Sequence, residues 1–290
     1  MKKILLIILI EMAGIVYAQK TANRFFYELT YKPNKDSLKL EKEIMIIDID
    51  REKSVYQSYD LVVSDSILNI SVQKAMKAGQ MLNMENTSYK SSQFSHRIFK
   101  YYPIKEIVYK ENLFDDYYSY RENPEFHWVI LNEKMKLETY NVQKAVTNFG
   151  DRKWIAWFTT EIPFQDGPYK FCGLPGLIIK IEDEDKNYSW ELKGIRKIPM
   201  IKETSYIDAL RNKTNTAPIK EITKEKFLEV YEKYKKDPFS EMRAQLSNLP
   251  TDVTMPDGSS INEQFRELER RTKEHAEKYN NRIEIPHKKN

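Results

Sequence analysis

The four tryptophans of this chain, Trp128, Trp154, Trp157 and Trp190, all fall in one stretch near its middle. Gly167, Gly173 and Gly176, three of only eight glycines, crowd into a single ten-residue window of that stretch. Pro163, Pro168 and Pro175 lie in or beside the same window. Large aromatic side chains supply much of a core's burial. Gly and Pro mark places where the backbone path is specified. The structural centre is therefore expected at Phe126–Lys197. Lys220–Asn290 is different in kind, with 15 basic residues, 14 acidic residues and no tryptophan, and it reads as a solvated helical region.

Composition removes several classes. A single cysteine among 290 residues excludes a disulfide framework and any multi-cysteine zinc or iron–sulfur site. Eight glycines is well under the average usage of about 7%, which disfavours glycine-rich nucleotide folds. With 47 basic and 43 acidic residues the formal charge is only +4, so there is no electrostatic case for nucleic acid.

The N-terminus reads as an address. Lys2 and Lys3 precede the unbroken apolar run Ile4–Ile10, and Val16-Tyr17-Ala18 offers small-residue cleavage geometry before Gln19. That is the pattern of a secretory signal peptide, blemished only by Glu11. The run is too short for a bilayer, which needs about 20 residues, so no transmembrane segment is expected in the mature chain. The lone Cys172 suits an oxidising compartment, where spare thiols are a liability.

Short β-prone runs fill the body. Arg24–Tyr31, Glu43–Ile49 and Phe126–Leu131 read as strands. Tyr140–Phe149 and Lys153–Thr159 flank Gly150-Asp151-Arg152, which has hairpin chemistry. In the second of these, Trp154, Ala156 and Phe158 share one face, and Ile155, Trp157 and Thr159 the other. Two apolar faces predict a central strand covered on both sides. Leu177–Ile181 and Tyr188–Arg196 flank the polar turn Glu182–Asn187. Tyr188, Trp190 and Leu192 alternate with polar residues, the period-two pattern of a half-buried antiparallel strand.

Three helices are expected. Val72–Leu82 is weakened by Gly79. Lys224–Lys236 carries Phe227, Val230, Tyr231 and Tyr234 on one side and is stopped by Pro238. Ser260–Asn280 opens on a capping box, Ser260 with Glu263, and has favourable i,i+4 pairs at Glu269–Lys273 and Glu274–Lys278. Leu246–Ser259, punctuated by Pro250, Pro256 and Asp257-Gly258, reads as a long connection.

Chemical constellations are sparse. Cys172 with His127 has the residue types of a thiol nucleophile and its base, but an inert buried thiol is the commoner fate in so apolar a stretch. His96 and His127 lack metal-ligand spacing. Asp183–Asn187 begins like a calcium loop, yet Tyr188 stands where glycine is needed and Gly194 where glutamate is needed. Glu161 and Asp166 are the types of a carboxylate pair, separated by a proline. Lys105 and Lys110 lie among tyrosines, as on many strand faces.

The most specified segment is Gly173-Leu174-Pro175-Gly176-Leu177-Ile178. Its two glycines permit positive φ or close backbone approach, and Pro175 fixes φ between them. Leu174 and Leu177 are then expected on opposite sides of a sharp turn that feeds a strand. The alternative is a gripping loop, with Gly173, Leu174, Pro175, Gly176, Leu177 and the nearby Trp157 as candidate binding residues.

Trp157–Ile178, with its Glu161-Ile162-Pro163 and Gly167-Pro168 elements, resembles the signature of the GLPGLI family of exported Bacteroidota proteins. The match is tight over about residues 126–196 and looser back to Phe25. The family is similar to the N-terminal bowl-like domain of some bacterial peptide-N-glycosidases. The resemblance implies a β-rich secreted fold and carries no activity, since a fold does not fix function. Val142 stands where relatives often carry cysteine, so this chain, with one cysteine, cannot form a disulfide there.

These readings give a mainly β (α+β) protein: a signal peptide at 1–18, a curved antiparallel sheet or half-barrel body at 19–200, and a helical, highly charged extension at 201–290. The expected role is an exported, non-catalytic binding or scaffolding module of the envelope or secreted fraction. Its partner would be an unknown envelope protein or ligand, and no cofactor or metal is implied. A carrier of an apolar ligand in a concave sheet, or a glycan or peptide hydrolase, is the alternative. N-terminal sequencing of the native protein should start at Gln19; a start at Met1 would count against export.

Overall fold

Alternating apolar and polar residues carry the described strands into one sheet. The computed structural model describes residues 21–80, 90–104, 106–113, 116–214, 218–246 and 260–284. The expected leader at 1–18, Lys105 and nearly all of the expected 246–259 connection lie outside these residues. The strands are β1 (Ala22–Tyr31), β2 (Glu41–Ile49), β3 (Lys53–Ser58), β4 (Arg97–Tyr101), β5 (Glu106–Leu113) and β6 (Asp116–Glu122), followed by β7 (Val129–Leu137), β8 (Tyr140–Phe149), β9 (Arg152–Thr159), β10 (Leu177–Asp183), β11 (Tyr188–Ile198) and β12 (Ile219–Glu221). The helices are α1 (Tyr59–Ala78), α2 (Tyr206–Thr214), α3 (Lys224–Lys236), α4 (Ser240–Leu246) and α5 (Ile261–Lys278).

The strands lie in the order β12-β6-β5-β4-β3-β2-β1-β11-β10-β9-β8-β7. The chain thus starts in the middle of its sheet. Strands β1 to β6 meander outward on one side, and β7 to β11 meander back from the other edge until β11 closes on β1 from Ala22–Ile198 to Tyr31–Tyr188. Expected strands at Arg24–Tyr31, Tyr140–Phe149 and Tyr188–Arg196 are present, and Phe126–Leu131 begins later, at Val129. Strand β12 runs parallel to β6, a departure from an all-antiparallel sheet. The β8–β9 turn has both central residues at positive φ, Gly150 at 59° and Asp151 at 56°, as a two-residue type I′ hairpin demands.

One face of the sheet is the main core. Tyr56 on β3 accepts a hydrogen bond from Trp190 Nε1 on β11 at 2.9 Å, although β2 and β1 lie between them. Side chains of strands so far apart meet only if the sheet curls around this inner face. Trp154, Ala156 and Phe158 point into it and are buried. Ile155 and Trp157, on the outer face of β9, are half-buried, so the expected double covering of that strand is not complete. The outer face has a smaller cluster containing Val55, Phe99, Val108 and Ile198.

Helix α1 is longer than the Val72–Leu82 expectation at its start and shorter at its end. Its first half, rich in Val, Ser, Asp and Asn, has weak helix propensity, and Ser58 caps it by accepting from Leu61 N. Gly79 ends it at φ 62°, where Gly79 N and Gln80 N bond Met76 O and Ala75 O in a Schellman arrangement. In α5 the Ser260 side chain makes no cap bond, so the capping box does not form. Its arginines pair within the helix, Arg270 with Glu267 and Glu274, whereas Lys278 reaches Glu41 and Glu269 meets Arg243 of α4. Helix α3 has the expected bounds, and its Phe227 is buried against Tyr109 and Tyr120. No helix among the described residues is long and apolar enough to cross a membrane.

Trp154 is fully buried, with Phe171 at 4.8 Å and Trp190 at 5.9 Å between ring centroids, and its indole donates to Phe149 O at 2.9 Å. Trp154→Ala should cost about 3–5 kcal/mol and lower the melting temperature by about ten degrees. An unchanged melting curve would contradict this placement.

Candidate functional site

The segment between β9 and β10 folds back over the inner face and carries the motif residues with it. Phe164 packs edge-on against Phe25, at 5.7 Å. Asp166 and Cys172 form an isolated antiparallel bridge, and Ile178 N bonds Asp166 O. Asp166 is buried and ion-paired with the equally buried Lys100 of β4. Lys100 Nζ also donates to Gly167 O at 2.6 Å and Phe171 O at 3.3 Å. Tyr102 Oη and Gly167 N both donate to the Asp166 carboxylate. Burial first, then the charge of Asp166, pushes the Tyr102 hydroxyl far above its ordinary value and keeps it a donor.

The turn at 173–178 completes this segment. Gly173 has φ 94°, and Gly176 N bonds Leu174 O at 2.8 Å around Pro175, an inverse γ-turn geometry that proline's fixed φ suits. A Cβ on Gly176 would stand 1.9 Å from Thr159 O. Leu174 and Leu177 do not diverge: both are buried in the same inner cluster. A γ-turn of three residues is too tight to send them to opposite faces. Gly173 and Pro175 are exposed, Gly176 is buried, and Trp157 lies on the outer face with Lys144 Nζ at 5.8 Å from its ring.

Lys170 is the charged centre of the inner face. Its ammonium is buried, pairs with Glu122 and Glu284, and donates to Tyr120 Oη at 2.9 Å. The rings of Tyr109, Tyr120 and Tyr169 surround it at 5.1, 5.3 and 5.4 Å, a cation–π cage. Glu284 comes from the C-terminal segment and also meets Lys224 of α3 at 3.0 Å. Burial alone would raise the Glu284 carboxyl, but Lys170 and Lys224 hold it down at about 2. Arg152 anchors that segment: Nε donates to Ile283 O at 3.1 Å, and Nη2 to Asn281 Oδ1 and Arg282 O, both at 2.7 Å. A cavity of about 140 Å³ is left above the cage, walled by Tyr31, His96, Tyr109, Tyr188, Phe227 and Glu284 among others.

The other sequence candidates separate. Cys172 is buried, whereas the His127 side chain is 86% exposed beside Glu125, so the two do not form a nucleophile and base. Glu161 is exposed and accepts from Asn141, far in environment from buried Asp166. Asp183 is buried and accepts from Arg152, Asn187 and Tyr188 N, while Glu184, Asp185 and Lys186 form an exposed hairpin turn. Lys110 lies over the Phe99 ring on the outer face at 4.6 Å. Sequence reading missed Lys100, Lys170, Arg152 and Glu284. Lys100 and Lys170 carry a signal, a lone charge flanked by aromatics at Phe99-Lys100-Tyr101 and Tyr169-Lys170-Phe171.

A second and larger cavity, about 360 Å³, lies on the outer face between the sheet and helices α1 and α2. Leu61, Val62 and Leu68 of α1, Ile207 of α2 and Tyr117 of β6 contribute its apolar wall. Its floor holds two ion pairs: Arg24 bonds Asp48 at 2.6 and 2.7 Å, and Arg97 meets Asp208 at 3.4 Å. Arg97 also donates to Lys202 O at 2.9 Å. Arg97 Nε and Asn112 Oδ1 lie buried within the packing beside it without a hydrogen-bond partner, as does His96 Nε2 on the inner face.

A family model described as a protein of unknown function, Porph_ging, matches residues 64–180. This is the GLPGLI-type family, so the resemblance carried by Trp157–Ile178 is met, and the matched region reaches back into α1. No curated protein matches the chain. Two solved structures of PNGF-II, in C2 and P21 space groups, are similar to it at 14% and 15% identity over 72% of this chain, with TM-scores of 0.48 and 0.47. The chain spans about a third of the length of those structures, 32% and 33%.

His96 packs between Tyr56 and Tyr109, and burial, then Lys170, lowers it from 6.5 to about 3. The unfolded chain therefore binds a proton that the folded chain refuses between those values. This contribution to stability is fully present above pH 6.5 and falls as pH drops, by up to about 1.4 kcal/mol per unit. His96→Phe should flatten the denaturant midpoint between pH 6.5 and 5, above the range where Glu284 loses its charge. Parallel profiles for the two proteins would contradict a buried neutral His96.

Proposed function

With residues 64–180 belonging to the Porph_ging family, we propose that the chain is an exported, non-catalytic binding protein whose ligand site is the outer cavity under helix α1. The leader at 1–18 supports export, with which the family match is consistent. The observation that carries the binding role is the cavity itself, about 360 Å³ with Leu61, Val62, Leu68 and Ile207 in its wall and a few charged and polar side chains at its floor, the make-up of a small-molecule site.

The inner face supports a structural role instead. Lys100 and Lys170 are both spent on internal carboxylates, and His96 is held neutral among rings. Its remaining cavity, about 140 Å³, is close to the size that holds one benzene. The carrier reading thus moves from the concave to the opposite face. The Gly173–Ile178 turn with Trp157 contributes to binding indirectly, by setting the shape of the sheet.

Native protein purified without denaturation and extracted with organic solvent should release a bound compound detectable by mass spectrometry. Folded Val62→Trp, which fills the cavity, should release far less. Equal release from both would overturn the assignment. Gly176→Val should lower the melting temperature through strain and the Thr159 clash, yet still release the compound when purified in the cold. A Gly176→Val protein that melts like the parent but has lost the compound would make the turn itself the gripping element.

A further inference from the structure

The inner cavity, about 140 Å³, is too small for a carrier's cargo, yet its wall suits one kind of small group. We infer that it holds the head of a methylated ammonium compound, at a site separate from the outer cavity and independent of what that cavity binds.

Charge comes first. The charged side chains lining the inner cavity are Glu111, Glu284, Lys224 and Arg282. Lys224 meets Glu122 at 2.6 Å and Glu284 at 3.0 Å, and Lys170 pairs with the same two carboxylates. Arg282 meets Glu232 at 3.1 Å. Glu111, Glu122, Glu232 and Glu284 thus stand against Lys170, Lys224 and Arg282, one carboxylate too many. The one left over is Glu111, on the inner face at the far end of β5 and half-buried. It accepts from Tyr109 Oη at 2.8 Å and Ser95 Oγ at 3.4 Å, and no cation among the described residues forms an ion pair with it. Burial raises its carboxyl above the ordinary value, against the hydrogen bond from Tyr109 and the charge of Arg282. A cation in the cavity would supply the missing opposite charge.

The wall then sets the kind of cation. Tyr31 and Phe94, edge-to-face at 4.9 Å, stand on the sheet side, Phe227 and Tyr231 come from α3, and Tyr279 follows α5. Lys170, Arg282 and Lys278 already lie over the rings of Tyr109, Tyr231 and Tyr279, at 5.1, 4.1 and 4.6 Å. Among the described residues no cation lies over Tyr31, Phe94 or Phe227, which leaves those rings for a ligand. The hydroxyls of Tyr31 and Tyr279 both donate to Glu41 and that of Tyr188 to Asn281 O, so these residues offer ring surface rather than hydrogen-bond donors. Ring surface beside a carboxylate attracts a quaternary ammonium. A hard metal ion asks for about six oxygen ligands, and no cluster of acids or histidines among the described residues could hold one. A primary ammonium brings N–H donors that need acceptors, but Glu284 and Asn281 already accept from Lys224 and Arg152. Size agrees. A cavity of about 150 Å³ holds a benzene ring, and a trimethylammonium head is of comparable bulk. Gln93 is exposed and Leu228 half-buried, so the cavity opens to solvent on their side.

Titration calorimetry of the mature chain at pH 7 separates the possibilities with choline, with ethanolamine, which has hydrogens in place of the methyls, and with 3,3-dimethylbutan-1-ol, which has choline's shape without its charge. Choline should bind at least tenfold more tightly than either. Glu111→Gln, which removes the charge, and Leu228→Trp, which crowds the opening, should each weaken choline about tenfold with the melting temperature kept. Val62→Trp, in the outer cavity, should leave choline binding unchanged. No heat with choline, equal binding of 3,3-dimethylbutan-1-ol or ethanolamine, or choline binding undiminished in both folded inner-cavity variants would overturn the inference. So would loss of choline binding in folded Val62→Trp, which would move the ammonium to the outer cavity. If neither inner-cavity variant folds, the comparison of the three compounds on wild-type protein decides. Displacement of choline by phosphatidylcholine vesicles, but not by phosphatidylglycerol vesicles, would assign the head to a lipid, and binding that neither displaces would assign it to a free solute.

Discussion

An ion pair out of reach of water holds the centre of this protein. Lys100, on a strand of the first meander, meets Asp166, on the segment between two strands of the second. Taking both charges out of water is expensive, and their attraction repays it only when the remaining hydrogen-bonding capacity is used. It is used. Lys100 spends its other protons on Gly167 O and Phe171 O, and Asp166 takes hydrogen bonds from Tyr102 and Gly167 N. A displaced loop would leave one buried charge alone, so the pair selects a single loop conformation more than it adds stability. Everything the loop delivers to the core, Tyr169, Lys170 and Phe171 above all, is placed by that selection.

The second dependency follows from the first. Once Lys170 is placed in its aromatic cage, it needs carboxylates, and one of the two arrives from near the other end of the chain as Glu284. Arg152, on the β9 strand beside the turn, grips the backbone of the same C-terminal segment and also bonds Asp183. Tyr188 adds a hydrogen bond to Asn281 O at 2.7 Å. A segment that reads in sequence as solvated charge is therefore part of how the inner face is closed.

Legibility in the sequence tracks whether a signal is local. The hairpin at Gly150-Asp151 and the alternation at Tyr188–Leu192 are short-range patterns, and both stand in the fold as read. Helix α1 was half legible, because Val, Ser and Asn in its first turns favour other conformations, and only the Ser58 cap and packing on the sheet override them. Strands β3 to β6 were passed over: their tyrosines alternate with Lys, Arg and Glu that look like surface. In the site, the motif turn was visible as Gly-Leu-Pro-Gly, but the joint burial of Leu174 and Leu177 was not. Partners such as Lys100 for Asp166, or Glu284 for Lys170, are separated by tens of residues or more, and no periodicity encodes them.

The two faces of the sheet differ in how closely they are packed. On the inner face the charged groups that enter are answered by other groups of the same chain, which is what a rigid core requires. On the outer face, under α1, a cavity of about 360 Å³ is left between the helices and the sheet, against about 140 Å³ on the inner face. Helix α1 itself has no buried residue along its twenty positions, although Leu61, Val62 and Leu68 face the sheet across the cavity. Space under a helix that would otherwise settle onto its sheet leaves its apolar side chains short of dispersion contacts. An apolar body in that space would supply them.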